Sequence, residues 1–158
     1  SLGFSTIAAA QTANQGGSVE EVISAAESTA DRSRFVVLLD TLEYLAKGGR
    51  IGKAQSLLGG LLKIRPILTV ENGEIAPYGK ARSRKAGLSK LEQAIRSFGD
   101  IEEIYVMYST DTKDAEIVAE KVSDLLPVGK TPMLIRVGPV IGTHAGPNLV
   151  ALGFLTAV

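Results

Sequence analysis

Ile64-Arg65-Pro66-Ile67-Leu68-Thr69-Val70-Glu71-Asn72-Gly73-Glu74-Ile75-Ala76-Pro77 decides the fold. Ile64 to Val70 is a short apolar run rich in β-branched residues, which reads as a strand. Asn72-Gly73 is the strongest short hairpin signal, because both central residues of the favoured two-residue turn need positive φ. The chain therefore returns on itself from Glu74 to about Arg82. Pro77 lies in that return strand and cannot donate to a ladder, so it places the strand at a sheet edge or at a bulge.

Downstream of the hairpin the pattern changes period. Ser83 begins a helix to Ser97 with Leu88, Leu91 and Ile95 inward. Ile101 to Tyr108 is a strand. Thr110 or Asp111 caps the next helix, which runs to about Leu126 with Ile117, Val118, Val122 and Leu125 inward. Met133 to Val137 and Leu149 to Thr156 are strands. Between them, Val137 to Pro147 reads as a rigid Gly/Pro loop.

Upstream, Phe4 to Gln15 is an Ala-rich helix stopped by Gly16-Gly17. Ser18-Val19-Glu20-Glu21 is a capping box that opens a second helix, to about Asp31, with Val19, Val22, Ile23, Ala26 and Ala30 on its apolar side. Phe35 to Leu39 is a buried strand. Asp40 or Thr41 then caps a short helix through Leu42, Tyr44 and Leu45, broken at Gly48-Gly49. Lys53 to Leu62 reads as helical, although Gly59 and Gly60 each cost about 1 kcal/mol there against Ala. Close approach of a strand or of a ligand tail would account for them. A hairpin combined with crossovers gives an α/β fold: one two-layer domain with a mixed sheet of about six strands and helices packed on one face.

Composition narrows the function. The 158 residues carry 17 basic and 17 acidic side chains, so no whole-surface attraction to nucleic acid or anionic membrane is indicated. There is no Cys and only one His, which argues against a thiolate nucleophile, a disulfide or a zinc site. No run of about 18 uncharged apolar residues marks a transmembrane helix. The opening Ser1-Leu2-Gly3-Phe4 has no Met and no basic n-region. It reads as a piece of a longer chain or a processed product rather than a signal peptide, and a cytoplasmic location is the default.

Three groups could carry chemistry. His144 sits in the Gly/Pro segment, where an imidazole can donate to an anion or accept from a donor near neutral pH. Lys47-Gly48-Gly49-Arg50-Ile51-Gly52 is a basic turn whose free amides and planar guanidinium suit a carboxylate or phosphate. It is not a Walker loop, because the Gly-Lys-Ser/Thr ending is missing. Lys80, Arg82 and Arg84 would share one face of an extended segment, a docking surface for an acidic partner or a phosphate contact. No Gly-x-Ser-x-Gly elbow is present. The residues suit a site for an anion with an apolar tail better than a catalytic machine.

The same motifs resemble the DegV family. Leu42-Glu43-Tyr44-Leu45-Ala46-Lys47-Gly48-Gly49-Arg50-Ile51-Gly52 is similar to its signature, as is Leu62-Lys63-Ile64-Arg65-Pro66-Ile67-Leu68 with the Asn-Gly hairpin and the Lys80/Arg82/Arg84-Lys85 stretch after it. Gly142-Thr143-His144-Ala145-Gly146-Pro147 completes the set. The resemblance implies a fatty-acid-binding protein that carries its lipid to a separate catalytic subunit of fatty acid kinase, itself non-catalytic and without a cofactor. It implies the C-terminal of two α/β domains, with the N-terminal one absent. His144, Thr143 and Arg50 would meet the carboxylate. Ile51, Leu57, Leu58, Leu61, Leu62 and Ile64 would line the acyl pocket. Lys80, Arg82 and Arg84 would dock the kinase. Two positions depart from the family pattern: Ser83 and Asn148 stand where Gly is common, which puts the turn after Pro147 in question.

The alternative, from another class, is binding of a small ketone or phosphotransfer through His144, as in the related fold of dihydroxyacetone kinase. The Leu-rich segment favours a lipid over a ketone. A regulatory DNA-binding role finds no recognition helix and no net positive charge.

Overall fold

The computed structural model describes residues 2–57 and 64–157. Its centre is one six-stranded mixed sheet. The strands are β1 (Ser33–Leu38), β2 (Arg65–Glu71), β3 (Glu74–Ala81), β4 (Ile101–Tyr108), β5 (Met133–Arg136) and β6 (Val150–Thr156). They lie in the order β3-β2-β1-β6-β4-β5. Only β4 and β5 run parallel; every other neighbouring pair is antiparallel.

The hairpin forms as its sequence requires. Asn72 and Gly73 have φ of 51° and 81°. β3 is an edge strand, and its register with β2 shifts where Ile67 faces Gly79 and Leu68 faces Pro77, leaving Tyr78 as the extra residue. Pro77 thus sits at an edge and at a bulge, where its missing N–H costs least.

Strand alternation divides the apolar side chains between two faces. Val36, Leu38, Ile67, Ile104, Val106, Leu152 and Phe154 face α4 (Arg84–Arg96) and α5 (Lys113–Val122). Ser83 caps α4, its hydroxyl accepting from the Ala86 N–H. Leu88, Leu91 and Ile95 point inward as expected. On α5 the inward residues are Ala115, Val118 and Val122, with Leu125 half-buried beyond them. Ile117, expected inward, is exposed, because it lies one residue and about 100° around the helix from Val118.

The opposite face carries Val37, Leu39, Leu68 and Ala151. Helices were expected on one face only. This second face is in fact covered too, by short elements: α3 (Glu43–Lys47), a 3-10 turn (Gly52–Leu57) and α6 (Pro139–Ala145). The helical expectation for Lys53 to Leu62 holds as that 3-10 turn up to Leu57; Leu58 to Leu62 lie outside the described residues. α1 (Leu2–Asn14) also meets this side, where Phe4 stacks on Tyr105 at 4.7 Å.

α2 (Val19–Arg32) begins with the expected box, in which Ser18 accepts from the Glu21 N–H and Glu21 accepts from the Ser18 N–H. Its apolar stripe is a correction. Val19, Ile23 and Ala30 are exposed, and only Thr29 is buried. α2 touches the sheet through its last turn, where Arg32 reaches Glu102 and the Thr156 carbonyl. Val22 and Ala26 are half-buried, with α1 packed against α2, so only part of the expected stripe is covered.

Candidate functional site

The second face of the sheet leaves a cleft of about 530 Å³, within the range of small-molecule sites. Its floor is Phe35 and Val37 of β1, Leu68 and Val70 of β2, and Ile75 of β3. Leu45 of α3 and Ala145 and Leu149 beside α6 close its inner side. The rim is apolar as well: Val140 is 75% exposed and Ile141 52%. Arg50 and His144 are the only ionisable groups among its described lining residues, so no carboxylate opposes a bound anion.

α6 explains why these residues meet. The segment expected to be a loop is helical from Pro139 to Ala145, which corrects that reading. Pro139 stands in the first turn, where its fixed φ helps and its missing N–H costs nothing. Helical spacing then puts Val140, Ile141, His144 and Ala145 on one side. Thr143 falls on another. It is exposed, its hydroxyl donates to the Pro139 carbonyl at 2.9 Å, and it does not line the cleft.

His144 is held by close approach. The imidazole lies directly over Gly48, the residue that ends α3. A Cβ on Gly48 would overlap His144 Nδ1 and come within 2.8 Å of its Cε1. Nδ1 is buried there and has no hydrogen-bond partner among the described residues. That leaves Nε2 as the ring nitrogen able to meet a ligand. Arg50 follows Gly48 by two residues, and its guanidinium approaches the Gly48 carbonyl at 3.5 Å. Imidazole and guanidinium thus flank one glycine. Gly146 repeats the pattern: its φ is 78°, and a Cβ there would strike the Tyr44 ring of α3.

The turn after α6 is tied to the rest of the fold. Asn148 has φ of 58°, a left-handed conformation that Asn tolerates better than other non-glycine residues. This settles the departure noted in the sequence, since Asn adopts the backbone that Gly would. Its N–H donates to Thr110 Oγ1 and its side-chain amide to Asp40 Oδ2, both at 2.9 Å. Asp40 Oδ1 accepts from Arg65 and, at 3.3 Å, from Arg84. Arg84 also bonds Asp114 at 2.6 Å.

The remaining expectations divide. Ile51 packs in the apolar cluster beneath the cleft without lining it. Leu57 and Ile64 line a separate groove of about 520 Å³ with Lys80, Arg82 and Lys90. Leu58, Leu61 and Leu62 lie outside the described residues. Arg84 does not share a face with Lys80 and Arg82, because β3 ends at Ala81 and Arg84 opens α4, turned to Asp40 and Asp114. Sequence reading missed the cleft floor and Val140 and Ile141. The signals were there: alternation in Phe35, Val37 and Leu39, and the spacing of Val140, Ile141 and His144 behind Pro139.

A family model described as uncharacterised protein, DegV family, matches residues 1–157. The chain belongs to the DegV family. A DegV domain-containing protein of Clostridium acetobutylicum is 40% identical over 158 residues, covering 98% of this chain and 55% of the relative. One from Streptomyces coelicolor is 39% identical over 153 residues, covering 96% and 54%. The chain spans about half the length of the curated relatives it matches. A solved structure described as fatty acid binding of a DegV family protein, from Thermus thermophilus, superposes with a TM-score of 0.88 at 30% identity, covering 98% of this chain and 56% of the other. DegV of Bacillus subtilis, described as a fatty acid binding protein, gives 0.78 at 28% identity, covering 98% and 56%. No helix among the described residues of this DegV chain is long and apolar enough to cross a membrane, and they contain no cluster of three His, Asp or Glu able to hold a metal.

Proposed function

We propose that this chain is a lipid-binding domain that holds a long-chain fatty acid in the second-face cleft and presents its carboxylate to a separate kinase subunit, without catalysing a reaction itself. The observation that carries this reading is the union, in one cleft, of an apolar sheet floor with His144 and Arg50 on either side of Gly48. The descriptions of the Thermus and Bacillus structures support it.

The physics of such a ligand is two-part. Each buried methylene contributes ~0.8 kcal/mol, so a long tail supplies ~10 kcal/mol before the cost of binding. A carboxylate buried bare would cancel much of that. His144 Nε2 and the exposed Arg50 guanidinium give it donors at the mouth, where it stays within reach of a phosphoryl donor. The tail lies on Phe35, Val37, Leu68, Val70 and Ile75, while Leu57 and Ile64 belong to the separate groove. Docking of the kinase falls to Lys80 and Arg82, joined in their groove by Lys90. The setting is cytoplasmic.

Native mass spectrometry of the purified chain, with extraction of its lipid, tests the binding. About one fatty acid per chain is expected, either copurified or taken up on addition of a long-chain acid. A chain that neither carries nor takes up acyl lipid overturns the reading. With a fatty acid kinase catalytic subunit and ATP, His144→Ala should reduce acyl-phosphate formation, and unchanged turnover would remove that role. Charge reversal by Lys80→Glu with Arg82→Glu should block the transfer and leave fatty-acid binding intact.

A further inference from the structure

We propose that Asn148 is a positioning residue for His144, acting through its amide on Asp40. The inference rests on the fatty-acid reading of the cleft and adds to it the residue that fixes the carboxylate donor.

The contacts form a closed ring. His144 sits in the last turn of α6, and the chain leaves it through Gly146, Pro147 and Asn148. Asn148 Nδ2 donates to Asp40 Oδ2 at 2.9 Å. Asp40 stands two residues past the end of β1 and leads through Thr41 and Leu42 into α3. α3 ends at Gly48, on which the imidazole rests. The Asn148 amide therefore closes a loop whose other end is His144 itself. No hydrogen bond of the imidazole holds it within the described residues. Its place is set by the distance between α6 and α3.

Asp40 is well suited to be the fixed point. Its other oxygen is held by Arg65 at the start of β2 and by Arg84 at the start of α4. Arg84 is itself braced by Asp114 of α5. Three elements thus hold one carboxylate still, and one oxygen remains for the turn behind His144. The backbone of that turn is pinned separately, by Asn148 N–H to Thr110 and Leu149 N–H to Ser109 at 3.0 Å. Removing the side-chain amide leaves those bonds and the packing of Gly146 on Tyr44 in place, so the turn survives while its hydrogen bond to Asp40, at the entry to α3, is lost.

The test compares the affinity of the chain for a long-chain fatty acid with that for the alcohol of the same length. The tail is common to both, so the ratio reports the carboxylate contact alone. Asn148→Gly keeps the left-handed backbone and deletes the amide. Its acid-over-alcohol preference should fall about tenfold, the size of one hydrogen bond to a charged group, with alcohol binding unchanged. Asn148→Asp keeps the shape but turns an acceptor towards Asp40, and should show the same loss. A preference unchanged in either variant, or an equal fall for acid and alcohol, would overturn the role. If the wild-type chain itself shows no preference for the acid, the carboxylate site is at fault, not the Asn148 link.

Discussion

Substituting Gly48 by Ala tests whether the imidazole is seated as described. Gly48 has φ of −81° and ψ of −2°, a right-handed conformation in which Ala is at ease. The backbone therefore does not require glycine, and any cost comes from what the new methyl group meets. It meets His144 Nδ1 and Cε1, and the Tyr44 carbonyl at 3.1 Å. Forcing a carbon into packed space costs about 1–3 kcal/mol. With His144→Ala the ring is gone, and Ala at position 48 then gains about 0.5–1 kcal/mol over Gly in such a conformation. The Tyr44 contact is present in both backgrounds and cancels. The backbone gain is common to both backgrounds too and cancels, so the coupling between positions 48 and 144 is the steric cost alone, about 1–3 kcal/mol. Urea unfolding of the four proteins measures it. Additivity within about 0.5 kcal/mol would refute the contact. In fatty-acid titrations, Gly48→Ala alone should weaken acid binding although His144 is present, because the ring must leave its seat.

Other outcomes follow from the same structure. Val70→Trp fills part of the cleft floor at a position that is 46% exposed, so the fold should tolerate it. Long-chain acids should lose about tenfold in affinity, with shorter ones spared, and equal effects on both would place the tail elsewhere. The Arg96 guanidinium, bonded to both oxygens of Asp124, holds that carboxyl below its ordinary range, and Lys121 with Arg96 does the same to Glu92. Carboxyls lowered in the folded state contribute stability above their ordinary pKa of about 4 and lose it as pH falls through the folded value. Asp124→Asn should therefore be less stable than the wild type at neutral pH, with the gap closing in acid; a gap independent of pH would refute the linkage. Asp40→Ala leaves Arg65 and Arg84 without their shared, half-buried carboxylate, and should lower stability by about 1–3 kcal/mol in urea unfolding. A loss below about 1 kcal/mol would mean that the cluster is only a solvated surface pair.

Much of the scaffold was legible because local chemistry dictates it. Asn72-Gly73 must turn, Pro77 must avoid a ladder bond, and Ser18 and Ser83 must cap. Those signals lie within a few residues of the structure they cause. The site was legible in its polar members, Arg50 and His144, because residue type and glycine neighbours point to them. It was obscured where partners are distant. Arg84 looked like surface charge until Asp40 and Asp114, 44 and 30 residues away, were brought beside it. The segment around His144 looked like a loop because its Gly and Pro residues are loop formers, yet Pro139 is placed where a helix accepts it. The cleft floor was hidden by reading Phe35 to Leu39 as a uniformly buried run. Its alternate residues serve two layers, and only one layer is covered by long helices.

A long-chain fatty acid carrying a mid-chain diazirine, irradiated on the chain and followed by peptide mapping, tests the central claim most directly. Labels confined to peptides holding Phe35–Leu39, Leu68–Ile75 and Val140–Leu149, and displaced by unlabelled acid, are expected. Labels concentrated between Leu57 and Ile64, or none that unlabelled acid displaces, would contradict it.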